Sequence, residues 1–353
     1  MIDAFTPGLL SRLPERPHKV ALLRASRTGD FLCTTPALRA LRRALPEAEI
    51  TMITLLLLRE LVARSPHLDR FVAFPGFPGI AEQFFEAHQT LQFLQSMQSE
   101  RFDLALQMQG SGVYSNQFML LLGARATAGF VRCDDPAGRL DAALPFPQKG
   151  HEIQRMLALI TFLGIPPQGK ETEFPLWTED HAMAEMLLMD TKRPLIGLHT
   201  SARDATRRWD LHRFAAVSRE LMMRYGGTVV ILGELGDRPA GEVLAQEVGG
   251  PCLNLAGRTS LTELGAVIMR LSVLVTNDSG PAHIAYALGT PTVTIFGGAS
   301  PERYGPPKSR QHQVLAHDVP CRPCDYTICP IEYRCLAGVT VQQVVEAASA
   351  VMR

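Results

Sequence analysis

Val275-Thr276-Asn277-Asp278-Ser279-Gly280-Pro281-Ala282-His283 is the stretch that decides the fold. An apolar run, Leu271 to Val275, enters it and reads as a buried strand. A helical pattern, Ala282 to Leu288, leaves it. Gly289-Thr290-Pro291 and a second apolar run, Thr292 to Phe296, follow. Strand, tight turn, helix and strand place the turn at the carboxyl end of a strand, the edge where open α/β sheets bind ligands. Backbone N–H groups at the start of a helix form a ready anion site. Asp278, Ser279, Gly280 and His283 therefore read as a site for a sugar, a ribose or a phosphate. A helix cap would account for Asp278 or Ser279 alone. It would not account for a histidine on the helix, five residues after the aspartate.

The same alternation extends outward in both directions. In the first half, strands are expected at Lys19 to Arg24, Glu49 to Thr54, Arg70 to Phe74 and Phe102 to Gln107. Helices are expected at Phe31 to Ala44, Leu58 to Arg64, Phe84 to Ser99 and His151 to Leu163, the last stopped by Gly164 and Pro166-Pro167. Ile165 to Pro175 reads as a linker. A second series follows, with strands at Pro194 to His199 and Gly227 to Leu232, and helices at Leu211 to Tyr225, Pro239 to Val248 and Leu261 to Arg270. The strand ending at Phe296 is expected to complete the second sheet. An amphipathic helix from Thr340 to Met352 closes the chain. The fold class is α/β: two doubly wound parallel sheets with a cleft between them, domains 1–170 and 171–353.

At 353 residues the chain has room for two domains. Lys and Arg total 35 and Asp and Glu total 35, so no basic field points to nucleic acid. No apolar run is long enough to span a bilayer. Met1 to Arg16 lacks the layout of a secretory signal, so the expected location is cytoplasmic. Cys33, Cys133 and Cys252 read as small core residues. Cys321, Cys324, Cys329 and Cys335 are bunched, and the first pair has zinc-knuckle spacing. Four thiolates suit a structural zinc or iron; two disulfides or four free thiols are the alternatives.

The first strand runs into Ala25-Ser26-Arg27-Thr28-Gly29-Asp30. This is neither a dinucleotide fingerprint nor a P-loop, which disfavours a nicotinamide oxidoreductase. Gly29 is expected to allow close backbone approach or a positive φ. Asp30 sits where a helix dipole stabilises its charge, either as an N-cap or as a general base. In the second half, Thr200 and Ser201 lead into Arg203, Arg207 and Arg208, a loop suited to a diphosphate. Glu234 ends another strand and is placed either to hold ribose hydroxyls or to cap a helix. Thr259 precedes a further helix, near where a nucleotide base would lie. Phe74 to Phe85 and Gln109 to Asn116 are candidate acceptor walls. Arg39, Arg42 and Arg43 read as a solvated helix face, with lipid headgroups as the alternative partner.

These motifs together resemble glycosyltransferase family nine, the ADP-heptose:lipopolysaccharide heptosyltransferase family. The resemblance rests on Leu22-Leu23-Arg24 with Gly29-Asp30 and Pro36, on Gly197-Leu198-His199-Thr200-Ser201, on Arg208-Trp209, and above all on Asp278 to His283 with Gly289-Thr290-Pro291. It implies the GT-B fold, with two Rossmann-like domains facing a cleft. The N-terminal domain would take the acceptor, with Arg27 and Gly29 on that side. The C-terminal domain would take the nucleotide sugar and carry the cysteine-rich tail 321–335, its final helix packing back on the N-terminal domain. Asp30 would be the catalytic base, and Asp278, Ser279, Gly280 and His283 would line the donor site. Thr200 and Ser201 would contact the diphosphate, and Arg207 would replace a family lysine. The implied reaction is an inverting transfer of heptose from ADP-heptose to a hydroxyl of a lipopolysaccharide-core or related glycan, with no catalytic cofactor. A lipid-linked acceptor would bring the protein to the inner face of the cytoplasmic membrane. The competing readings are another nucleotide sugar, a protein acceptor, or nucleotide-sugar binding without turnover.

Overall fold

A computed structural model describes residues 3–132 and 140–352. Cys133, expected in a core, lies outside the described residues. The chain divides into two compact units, Met1–Glu173 and Phe174–Arg353.

In the first unit the strands are β1 (Lys19–Leu23), β2 (Glu49–Thr54), β3 (Arg70–Ala73), β4 (Leu104–Gln107), β5 (Ala126–Val131) and β6 (Ala142–Pro145). They form one sheet in the order β3-β2-β1-β4-β5-β6, with every pairing parallel. Val20 to Leu23 are fully buried, as expected of a central strand covered on both faces. The Thr28–Ala44 helix buries Phe31, Leu32, Leu38 and Leu41, and packs beside the Glu152–Phe162 helix. Each such side chain contributes about 1.5–3 kcal/mol by leaving water.

In the second unit the strands are β7 (Leu195–His199), β8 (Thr228–Leu232), β9 (Cys252–Asn254), β10 (Val273–Asn277), β11 (Thr292–Phe296) and β12 (His312–Ala316). Their order is β12-β11-β10-β7-β8-β9, again all parallel. The sheet therefore does not end at Phe296: His312–Ala316 adds an edge strand on β11. Its sequence, HQVLA, has too little apolar alternation to read as a strand without its partner. The final helix, Val341–Val351, spends its apolar face on Val344, Val345 and Ala348 in the core of this second unit.

Several boundaries moved for identifiable reasons. The strand expected from Leu271 begins at Val273, because Leu271 still closes the preceding helix through its N–H to Ile268 O at 3.1 Å. The helix expected from Phe84 begins at Ala87, because the Glu86 side chain accepts from His88 N and Gln89 N and caps it there. The segment after Ile165 belongs to the first unit. Glu173 N donates to Thr35 Oγ1 at 3.0 Å. Arg39 holds Glu171 O and pairs with Glu173, and Arg43 holds Gln168. Arg42 binds Ala48 O and Asp69. The three arginines expected on a solvated or headgroup-facing surface are thus committed within the chain. Among the described residues, no helix is long and apolar enough to cross a membrane.

Gly227 shows how tightly the second sheet is edged. Its φ is +88°, and a Cβ there would lie 2.0 Å from Pro194 O. Gly227→Ala combines a strained backbone with a main-chain clash. It should lower stability by more than about 2 kcal/mol, read as a fall in the chemical-denaturation midpoint.

Candidate functional site

Parallel strands carry their carboxyl ends to one edge, and on the second sheet that edge gathers most of the expected donor residues. Asp278 follows β10 and is buried. Its Oδ2 lies 3.2 Å from Arg207 Nη1, and its Oδ1 lies 4.0 Å from His283 Nε2. A cap by Ser279, the alternative reading of this turn, is not made. Ser279 occupies the N-cap of the Gly280–Leu288 helix, but its side chain makes no capping bond. Its Oγ sits 3.1 Å from His199 Nδ1 and 3.1 Å from Asn277 O instead. Pro281 carries no N–H and Ala282 N donates to Ser279 O at 3.1 Å, so this nine-residue helix begins beside an arginine without a cap from the Ser279 side chain.

The neighbouring loop is fixed by the strand beside it. Asn277 Oδ1 accepts from Trp209 N at 3.0 Å, and Asn277 Nδ2 donates to Thr200 O at 2.8 Å. Thr200 and Ser201 stand half-buried at the end of β7. One strand further, Glu234 is exposed, and Asp237 Oδ2 accepts its N–H at 2.9 Å to open a short 3-10 turn. Thr259 is half-buried just before the capped start of the Leu261–Met269 helix. Gly257 N donates to Gly233 O at 2.9 Å, so the Glu234 and Thr259 loops are neighbours. Arg207, Asp278, Ser279 and His283 form one cluster, with Glu234 and Thr259 further along the same edge.

In the first unit, Arg27 is the N-cap of the Thr28–Ala44 helix and Asp30 lies in its first turn, so Asp30 is not the cap. Gly29 is helical and outside the left-handed region, which corrects the expectation of a positive φ. Asp30 Oδ1 accepts from Arg24 Nη2 at 3.0 Å. The same Nη2 reaches Glu152 Oε1 at 2.9 Å, and Arg24 Nη1 donates to Met108 O. Arg155 Nη1 donates to Glu152 Oε2 at 3.0 Å. Arg24, Glu152 and Arg155 are each nearly inaccessible, whereas the Asp30 side chain keeps 30% of its surface. Of these four side chains, Asp30 is the one with access to solvent. Arg27 also pairs with Glu82 at 3.5 Å, tying the loop after β3 to the turn that carries Asp30. Tyr114 is exposed above Gly79 at the same sheet edge.

The profile of glycosyltransferase family 9 (heptosyltransferase) matches residues 90–333, more than half of the chain. The chain belongs to this family. Lipopolysaccharide heptosyltransferase 2 of Salmonella typhimurium is 27% identical over 321 residues, covering 84% of this chain and 87% of the relative. The solved E. coli ADP-heptose lps heptosyltransferase II superposes with a TM-score of 0.75 at 23% identity, over 95% of this chain and 98% of that one. The glycosyl transferase family 9 structure from Veillonella parvula DSM 2008 superposes at 0.80 and 20% identity, over 100% and 98%. The fold is GT-B and the protein is a transferase. The profile match covers the Arg207, Asp278, Ser279 and His283 cluster and starts after Asp30.

Two features beside the expected site residues were given no role from sequence. His199 is one: it ends β7 under Ser279 and reads as another strand residue. Burial pushes its pKa down to about 4, against an opposing pull from Asp237, so the ring is neutral at neutral pH and shares a hydrogen bond with Ser279 Oγ. The Arg24–Glu152–Arg155 group is the other. Glu152 lies 128 residues from Arg24, and no local spacing connects them.

Of the four clustered cysteines, Cys324 and Cys329 lie close enough to Cys335 to act on its thiol. Among the described residues, no three His, Cys, Asp or Glu side chains converge to hold a metal ion. Cys321 is exposed while Cys335 is buried in the core, its thiol pushed up by burial. Cys329 Sγ accepts from Tyr333 N at 3.2 Å.

His199 makes stability pH-dependent. Its folded pKa lies below the ordinary 6.5, so the unfolded chain binds the proton more readily. Stability is complete above about pH 6.5 and falls as pH drops toward 4, by up to about 3 kcal/mol. His199→Asn should flatten this slope when thermal midpoints at pH 7 and pH 5 are compared with the unsubstituted protein. Glu152→Ala would remove the carboxylate that two buried guanidinium groups share and should cost about 3–5 kcal/mol, read from denaturant midpoints.

Proposed function

We propose that this transferase moves a heptose, with inversion, from ADP-heptose to a hydroxyl of a lipopolysaccharide-core glycan. The observation that carries the reading is the Arg207–Asp278 pair beside the uncapped start of the Gly280–Leu288 helix. A cation beside the positive end of a helix, at a strand's carboxyl end, suits a departing diphosphate. The activities of the relatives, lipopolysaccharide heptosyltransferase 2 and ADP-heptose lps heptosyltransferase II, supply the substrate class.

On this reading Arg207, the Gly280 turn and the hydroxyls of Thr200 and Ser201 hold the diphosphate. Glu234 takes the ribose hydroxyls, Thr259 borders the base, and His283 orients the donor. Asp30 removes the proton from the acceptor hydroxyl as that oxygen attacks the anomeric carbon. Arg24 positions the carboxylate, and Arg27 and Gly29 shape the acceptor side. Tyr114 and the loop after β3 form its walls. Because Arg207 and the positive end of the helix supply the positive charge, transfer should persist in a chelator. A lipid-linked acceptor would place the enzyme in the cytoplasm, in peripheral contact with the inner membrane face.

Thermal unfolding against ADP, UDP, GDP and CMP tests the donor, because a ligand that binds only the folded state raises the midpoint. A rise with ADP alone is expected; a rise with UDP or GDP instead would discard the heptose assignment. Asp30→Ala should lower turnover by at least about a hundredfold, the scale of a lost general base, while ADP affinity stays unchanged. Equal loss of both would make Asp30 structural.

A further inference from the structure

The cysteine-rich segment has no part in the reaction proposed above, yet it is joined to the donor loop by main-chain contacts. Arg207 lies in a stretch with a single 3-10 turn, Ala205–Arg207. A long side chain on such a loop is only as well placed as its backbone. Thr206, immediately before it, is buried. Its carbonyl accepts from Gly298 N at 3.0 Å. Its Oγ1 donates to Tyr326 O at 2.6 Å, 120 residues further along the chain. Gly298 O in turn accepts from Cys324 N at 2.8 Å.

The three strands of chain are packed to the point where side chains are excluded. A Cβ on Gly297 would lie 2.1 Å from Thr206 O, and a Cβ on Gly298 would lie 2.7 Å from Cys324 Sγ. Further along, Trp209 Nε1 donates to Val339 O at 3.1 Å, and Arg213 Nη1 to Ala337 O at 2.8 Å. Cys335 and Leu336 join the core that holds Trp209. Residues 324–339 therefore hold the donor loop at Thr206 and just after it at Trp209, with Arg207 between the two points.

We infer that the cysteine-rich segment is a brace for the donor loop, and that Thr206 is the positioning residue through which it sets Arg207. This rests on the reading that Arg207 holds the donor diphosphate. The hydroxyl bond and the Gly298–Cys324 packing fix the backbone from which the guanidinium reaches Asp278 and the anion. A rigid loop spares binding the cost of ordering it.

ADP affinity by titration calorimetry and steady-state kinetics for both substrates test the inference. Thr206→Val should weaken ADP binding and raise the donor KM about three- to tenfold, the scale of one net hydrogen bond. Acceptor KM and the unliganded thermal midpoint should stay near the unsubstituted values, and Thr206→Ser should restore donor KM to within about twofold. Gly298→Ala presses on Cys324 Sγ and should weaken ADP binding; adding Cys324→Ala removes the obstructing sulfur and should recover it. This pair keeps the test open should Thr206→Val fold poorly. Unchanged ADP affinity in both Thr206→Val and Gly298→Ala, with loss in Arg207→Ala, would overturn the brace and leave the donor site standing. Unchanged affinity in Arg207→Ala would overturn the donor reading itself.

Discussion

Parallel pairing forces each return crossing behind the sheet, and so collects the carboxyl ends of all strands on one edge. Both units obey this constraint, since each of their six strands pairs only in parallel. Residues as distant in sequence as Arg207 and Asp278 meet because β7 and β10 are neighbours in register, with Val275 opposite Leu198 and Thr276 opposite His199. Without that adjacency the donor cluster would be scattered polar residues. With it, the polar ends Thr276 and Asn277 stay inside the strand and hold the loops above them.

The two units use charge in opposite ways at their edges. In the first, Arg24 is buried and must be neutralised, and Glu152, Asp30 and Met108 O do so together. The network holds Asp30 at a defined orientation while leaving it in reach of solvent. In the second, Asp278 is buried and Arg207 is the more exposed partner. A cation presented at the surface of a buried carboxylate suits an anionic ligand; a carboxylate presented at the surface of a buried cation suits a hydroxyl.

Most strands and long helices were legible because they obey one period: Val273–Asn277, Thr292–Phe296 and Leu211–Tyr225 carry their burial in their own sequence. The donor turn was legible for the same reason, since its motif is contiguous. The strands β5, β6, β9 and β12 were not. β6, β9 and β12 are short edge strands that owe their form to a neighbour, and β5 is an inner strand whose Ala-Thr-Ala-Gly start carries little strand signal. The helix Thr178–Leu188 was missed as well, its apolar residues spread around the barrel of the helix rather than on one stripe. His199 and Glu152 lay beyond sequence reasoning because their roles exist only through contacts across the sheet. The cysteine spacing was legible in part: Cys324 and Cys329 both act on the Cys335 thiol, while the fold places Cys335 in the core and Cys324 against Gly298.

Arginine at 207, where the resemblance calls for lysine, fits this arrangement better than a like-for-like exchange would suggest. A guanidinium presents five N–H donors in a planar fork, whereas an ammonium is a compact point charge. Nη1 is bonded to Asp278, and Nε lies 3.7 Å from Asp204 Oδ2. The fork can keep those partners and still offer donors to a diphosphate, so the cation need not leave its carboxylates when the donor arrives. Such a fork is useful only if its plane is fixed. An arginine here asks more of its backbone than a lysine would, and the loop that supplies that backbone is held at Thr206 and Trp209 by a distant part of the chain.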